Sequence, residues 1–156
     1  MKYDFLLDEN VLIWPIESGG NTQGARQAIE LWESIGKNCH TIVVSHSLFA
    51  KYLAHLRQRR TQIQKSFRIV DFERKIRAVI NGKSKWVTDE SFVLEEQYIR
   101  DPDDYFLVRI AVRSPGCIFV CEDSQTREGF SRQEIAIKYN VRSVRVDEAL
   151  GLAKET

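Results

Sequence analysis

Four short apolar runs punctuate this chain, and between them the apolar residues recur at helical spacing. Residues 3–7 (Tyr-Asp-Phe-Leu-Leu), 41–44 (Thr-Ile-Val-Val), 117–121 (Cys-Ile-Phe-Val-Cys) and 141–146 (Val-Arg-Ser-Val-Arg-Val) have the length and the β-branched or aromatic content of strands. Strands separated by helix-length segments are not joined as hairpins; each must cross back over the sheet and pair in parallel. The alternation therefore predicts an α/β fold, a mostly parallel central sheet flanked by helices. No repeat, low-complexity stretch or linker divides the 156 residues, which are enough for one core and short for two, so residues 1–156 read as a single domain.

The helical segments follow from periodicity and punctuation. A helix begins near Asn10, with Pro15 and Ser18-Gly19-Gly20-Asn21 forming a loop after it. Ala25, Ala28, Ile29, Trp32 and Ile35 lie on one face of the next helix, with Gly36 as its stop. Ser45 caps a helix that carries Leu48, Tyr52, Leu53 and Leu56 on one side, and a second pattern follows with Ile63, Phe67, Val70, Ile76, Val79 and Ile80. Residues 81–101 give no clear signal, and residues 92–99 fit helix or strand equally. Residues 104–113 return to helix until Ser114-Pro115-Gly116 breaks it; residues 131–139 are helical, and Asp147 caps a last helix through Ala153.

Composition excludes several classes. Apolar runs reach only a few residues, at 11–15 and 117–121, far from a membrane span, and the first residues carry an acid where a signal peptide needs an unbroken apolar stretch. A cytoplasmic protein is expected, with no membrane partner. Cys39, Cys117 and Cys121 form no C-x-x-C pair, so a disulfide scaffold and a zinc ribbon lose support; Cys117 and Cys121 read as buried thiols. Net charge is +1 but unevenly spread. Residues 51–85 hold eleven Lys or Arg against Asp71 and Glu73, hence +9, and the remaining 12 basic and 20 acidic residues sum to −8. Such a molecule suits an anionic polymer or an acidic partner, although a solvated helical face accounts for charge alone equally well.

Three acids stand where chemistry converges in a fold of this kind. Asp8 ends the first strand, Asp123 follows the strand at 117–121, and Asp104 stands where a helix begins. Ligands of open parallel sheets bind outside the carboxyl ends of the strands. Carboxylates gathered there repel one another unless a hard cation such as Mg²⁺ or Mn²⁺ neutralises them, and such an ion activates water toward a phosphodiester. The plainer alternative makes Asp104 a helix cap and the other two loop acids.

The order of motifs sharpens this. Leu-Leu-Asp-Glu-Asn-Val-Leu-Ile, Val-Val-Ser-His-Ser-Leu-Phe-Ala-Lys-Tyr-Leu, Asp-Pro-Asp-Asp-Tyr-Phe-Leu-Val-Arg-Ile-Ala and Ile-Phe-Val-Cys-Glu-Asp, in that sequence, resemble the PIN-domain family, in particular its toxin branch from toxin–antitoxin systems. Asp8 with Asn10, Asp104 with Ala111 seven residues on, and Asp123 twelve after that match the branch, over about residues 3–150. The resemblance implies a Rossmann-like three-layer PIN domain, a Mg²⁺- or Mn²⁺-dependent ribonuclease with Asp8, Asp104 and Asp123 as catalytic metal ligands, RNA as substrate and often an antitoxin partner. One position departs from it. The helix after Ser45 should present a Glu where this chain has Lys51, before Tyr52. That exchange moves the site by about two charge units. Lys51 either pairs with a site acid and leaves a metal-poor pocket or turns outward toward substrate phosphate; Glu9, Asp101 and Asp103 are candidate substitutes for the lost carboxylate.

Other signals are weaker. Arg57, Arg59 and Arg60, with Lys65 and Arg68 beyond, fit an RNA backbone, while the apolar side of the same segment fits the sheet or a second copy of the chain, so a homodimer is expected. Trp14, Trp32 and Trp86 read as core or interface anchors before base-stacking platforms. His40, His46 and His55 lack metal-ligand spacing, and Ser45 beside His46 is a cap and not a nucleophile–base pair. No phosphate-binding glycine loop is present. A non-catalytic module that binds RNA or protein is the competing reading, and a receiver-like phosphoacceptor fold lacks a convincing Asp–Thr–Lys set.

Overall fold

The first strand, β1 (Asp4–Leu7), is apolar on both faces: Phe5, Leu6 and Leu7 are all fully buried. A strand wrapped this completely requires helices above and below it, as parallel sheets do. The computed structural model, which describes residues 1–17, 22–60, 67–88, 102–132 and 134–155, builds that arrangement. After β1 come α1 (Asn10–Glu17), α2 (Gln23–Lys37), β2 (Thr41–Val44), α3 (His46–Arg60), α4 (Phe67–Gly82) and β3 (Ser84–Trp86). The second half adds α5 (Pro102–Val112), β4 (Ile118–Val120), α6 (Ser124–Arg132), α7 (Glu134–Lys138), β5 (Arg142–Val144) and α8 (Val146–Lys154).

Five strands form one sheet in the order β3-β2-β1-β4-β5, and every pairing is parallel. The fold is thus α/β with a Rossmann-like, three-layer arrangement. From β1 the chain moves outward to β2 and β3, then returns across the sheet to β4 and outward again to β5. Right-handed crossovers put the helices of these two journeys on opposite faces. On one face α2 packs against α1, α4 and α8; on the other α6 packs against α7 and β5. Phe119 of β4 stacks on Phe130 of α6 at 4.2 Å between ring centroids, and Trp32 of α2 meets Tyr52 of α3 edge-on at 6.2 Å. The reversal lies between β1 and β4, and sheets of this kind bind ligands outside the carboxyl ends of the strands at such a point.

Several boundaries differ from the sequence reading. Pro15 lies inside α1 and is buried. Packing of Val11, Leu12 and Pro15 outweighs the one hydrogen bond that a proline removes from so short a helix. Gly36 does not stop α2, which runs on to Lys37 and ends where the Asn38 N–H returns to the Ser34 carbonyl. Its place in the helix serves close packing: a Cβ there would stand 3.0 Å from Val79 Cγ2 of α4. Strand β3 gave no signal because Ser-Lys-Trp is short and lies at the sheet edge, partly exposed. Helix α6 begins at Ser124, earlier than apolar periodicity indicates, since Ser-Gln-Thr-Arg-Glu-Gly is polar throughout. Asp147 is the second residue of α8 and not its cap; the Arg145 N–H donates to Glu148 Oε1 at 3.3 Å and the Val146 N–H to Glu122 Oε1 at 2.7 Å. The Pro115-Gly116 break is as expected, with Gly116 at φ +83°, a conformation that suits a residue without Cβ. Ile63, Lys65, Asp101 and residues 92–99 lie outside the described residues.

Candidate active site

Register fixes what meets beyond the carboxyl ends of the strands. Leu7 pairs with Val120, and Phe5 with Ile42, so Leu7, Val44 and Val120 stand in one row across the sheet, with Trp86 paired to Val44 on the far side. One residue further, Asp8 donates its N–H to the Val120 carbonyl at 3.1 Å and Cys121 donates to Val144 at 3.0 Å. Asp8 and Cys121 therefore leave adjacent strands at the same level, and Asp123 follows two residues on.

Each acid is held by local hydrogen bonds. The Asp8 carboxylate accepts from the Glu9 N–H at 2.8 Å through one oxygen; the other is approached by Asn10 Nδ2 at 3.4 Å and by the Cys121 thiol at 3.6 Å. Asp123 caps α6, its Oδ1 accepting from the Gln125 N–H at 2.9 Å and the Thr126 N–H at 3.3 Å. The carboxylate thus also sits at the positive end of a helix dipole. Asp104 is the third residue of α5, behind Pro102 in the first helical position, where its φ is preset. Its backbone is part of the helix; its carboxylate lies outside what the structure describes. Among the described residues no group of three His, Cys, Asp or Glu side chains is close enough to hold a metal ion.

Ser45 is buried, and its hydroxyl accepts from the Leu48 N–H at 3.1 Å, so the serine starts α3 as a cap. Little more than one turn of α3, residues 51–55, then directs side chains at the end of β1 and at Glu9. Tyr52 OH donates to the Leu7 carbonyl at 2.5 Å. Its hydroxyl is driven well above the usual phenol range by complete burial, with the charges of Asp8 and Glu9 adding to the effect. Lys51 Nζ lies 3.4 Å from Glu9 Oε1 and 4.5 Å from the centre of the Phe106 ring on α5, a cation over an aromatic face. The opposite oxygen of Glu9 meets His55 Nε2 at 2.5 Å. Glu9 is therefore gripped from both sides by α3. It serves as a counter-ion of Lys51, so its carboxylate is engaged by α3 and is poorly placed to act as a substitute ligand beside Asp8.

Sequence reasoning missed three participants. His55 is four residues beyond Lys51, on the same helix face, and that spacing was a usable signal. The apolar run marks Cys121 only as core; it is buried, and its thiol is pushed up to about 12 by burial and by the Asp8 charge beside it, so it stays a neutral donor toward Asp8. Arg127 reaches back from α6 to the Cys121 carbonyl at 2.8 Å, tightening the turn that carries Asp123. Cys117 is buried as expected, whereas Cys39 is exposed. Trp32 is core, Trp86 is 46% exposed, and the Trp14 side chain lies outside the description. His40 is structural: its Nδ1 accepts from the Tyr3 N–H and its Nε2 faces the Ala153 carbonyl, which fixes the Nε2–H tautomer. Arg57 is exposed on α3; Arg59 and Arg60 close the same helix.

No model of a known protein family matches this chain, and no curated protein is significantly similar to it. Among the described residues no helix is long and apolar enough to cross a membrane.

Proposed function

We propose that this chain is a metal-dependent endoribonuclease of the PIN type, the kind of enzyme that serves as the toxin of a toxin–antitoxin pair. The observation that supports the reading is that β1 and β4 are adjacent and parallel where the strand order reverses, with Asp8 one residue beyond Leu7 and Asp123 three beyond its partner Val120. The donor set fits a hard divalent ion, because both residues bring carboxylate oxygens and the neighbouring Cys121 keeps its proton. Asp8 and Asp123 would hold Mg²⁺ or Mn²⁺ together with Asp104. When bound, the ion would activate water and offset charge on the phosphodiester. The chain's own residues do the rest. Asn10 and the Glu9 N–H orient the Asp8 carboxylate, and the α6 N-terminus holds that of Asp123. Arg57, Arg59 and Arg60 on α3 supply positive charge for the RNA backbone. Cleavage of a mixed RNA pool in Mg²⁺ or Mn²⁺ is expected to vanish in Asp8→Asn and in Asp123→Asn. Undiminished cleavage by both variants would overturn the proposal.

The Lys51–Glu9 ion pair favours a second reading, a catalytically impaired PIN-like module that binds RNA or a protein partner. An ammonium 3.4 Å from Glu9, the residue after Asp8, would oppose a divalent cation at Asp8 by repulsion, and it ties up a neighbouring carboxylate that could substitute for a lost ligand. On this reading wild type shows salt-sensitive RNA binding without metal-dependent cleavage, and Lys51→Glu restores cleavage. Failure of that variant to cleave, with its fold intact, counts against silencing by Lys51.

A further inference from the structure

The turn that leads from β1 into α1 is fastened to α3 on both sides of Asp8. Before it, Tyr52 OH, fully buried, donates to the Leu7 carbonyl at 2.5 Å. After it, one oxygen of the Glu9 carboxylate meets Lys51 Nζ at 3.4 Å and the other meets His55 Nε2 at 2.5 Å. Lys51 and His55 are four residues apart, so one face of α3 presents both to Glu9. The ring of Phe106 on α5, 4.5 Å from Lys51 Nζ, steadies the ammonium from a further element.

Stability alone is a poor reason for this clasp. The side chains of Lys51 and Glu9 remain 35% and 24% exposed, and ion pairs so open to water contribute little. What the clasp fixes is the main chain beside Asp8. The Glu9 N–H donates to Asp8 Oδ1 at 2.8 Å, and the Asp8 N–H is tied to the Val120 carbonyl at 3.1 Å. With Leu7 held behind Asp8 and Glu9 held in front, the carboxylate projects from a fixed base. Small divalent cations demand near-ideal ligand geometry, and the groups that orient a ligand typically matter about 10–100-fold in metal affinity. Nor does the Lys51 charge act alone. With Glu9 at 3.4 Å the two charges form a dipole, whose field falls off faster than that of an isolated ammonium.

We propose that Lys51 and His55 are positioning residues for Asp8: by clasping Glu9 they hold the turn over residues 7–9 that presents the Asp8 carboxylate to a divalent cation. This rests on the nuclease reading above, in which Asp8 is a metal ligand. It gives Lys51 a supporting part in the site, opposite in sign to silencing.

The test is the affinity of the full chain for Mn²⁺ in the absence of RNA, read from the free-ion signal in electron paramagnetic resonance titrations. Wild type is compared with Lys51→Met, Lys51→Arg, His55→Ala and Asp8→Asn. Lys51→Met and His55→Ala are each expected to raise the Mn²⁺ dissociation constant about tenfold, as loss of a ligand-orienting group does. Lys51→Arg, which keeps a charged donor opposite Glu9, should stay within about threefold of wild type. The sign for Lys51→Met discriminates, because repulsion alone predicts tighter binding once no ammonium offsets Glu9. Tighter or unchanged binding in Lys51→Met, or unchanged binding in His55→Ala, would overturn the positioning role and leave the metal site standing. No Mn²⁺ binding by wild type, or binding that survives in Asp8→Asn, would overturn both. Urea denaturation of the same samples separates positioning from folding. Midpoints close to that of wild type, alongside weakened Mn²⁺ binding, support the proposal. Affinity losses that track losses of stability, with no rescue by Lys51→Arg, would assign the clasp to folding and overturn it.

Discussion

Asp123 caps α6, and on the proposed reading its carboxylate would have a second task that substitution can separate from the first. Its Oδ1 caps α6 through Gln125 and Thr126, a role that an amide oxygen fills as well. On the proposed nuclease reading its charge would also serve a metal ion, which an amide would not. Asp123→Asn should therefore keep thermal stability within a few tenths of a kcal/mol while abolishing cleavage. Asp123→Ala should cost about 1 kcal/mol more, read by urea denaturation, because two N–H groups of α6 lose their acceptor. Lys51 is a similar case of a residue whose meaning depends on its partner. The sequence exposed the departure from the PIN pattern, but the partner, Glu9, is 42 residues away and neither residue has a local feature that pairs them. His55 was within reach of sequence reasoning through its spacing from Lys51; Cys121 was not, since an apolar strand end looks the same whether or not an acid stands on the next strand.

Among the elements, the contact of α2 with α4 is the most sharply constrained. Gly36 sits inside α2, where a glycine costs roughly 1 kcal/mol relative to alanine, and it persists because Val79 comes within 3.0 Å of the space a Cβ would take. In the wild type, Gly36→Ala gains helix propensity and forces Val79 aside. In a Val79→Ala background the obstruction is gone, so Gly36→Ala should stabilise by up to about 1 kcal/mol relative to Val79→Ala alone. A double-mutant cycle in urea measures the coupling; additivity would show that the close approach carries no energy. Strands β1, β2 and β4 were legible because each is buried on both faces and its apolar run is continuous. Strand β3 was not, since an edge strand of three partly exposed residues exists only through its pairing with β2. Helix α6 was likewise illegible: it is held by the Asp123 cap and by Phe130 stacking on Phe119, a single apolar anchor that makes no periodic pattern.

For the molecule as a whole, buried titratable groups set the response to pH. Cys117 and Cys121 are both pushed from 9.0 to about 12, chiefly by burial, with Asp4 and Asp8 respectively adding negative charge nearby; Tyr52 is raised by burial as well. These groups hold their protons more tightly folded than unfolded. The stability they contribute is complete below pH 9 and falls as pH rises from there toward 12. Asp4 acts at the other end. Burial alone would raise it, but the hydroxyl of Thr41 and the ammonium of Lys85 together hold it below 3.8, so its contribution is present above that pH and is lost as pH falls further. The melting temperature should therefore drop steeply above pH 9, and Cys117→Ala with Cys121→Ala should flatten that limb relative to the value at pH 7. A limb of unchanged steepness in the double variant would show that the thiols do not govern it.

Hydropathy alone determined that this chain builds a parallel α/β sheet, and it put Asp8 and Asp123 at strand ends, because periodicity and burial of short segments are local properties. Tertiary structure decided which strands are neighbours. The order β3-β2-β1-β4-β5 makes the ends of β1 and β4 adjacent and brings Trp86 into the same row as Leu7. It also decided that Lys51 faces Glu9. Strand order and ion pairing depend on contacts between residues far apart in the chain, whose energies exist only once the layers have packed, and no local pattern encodes them.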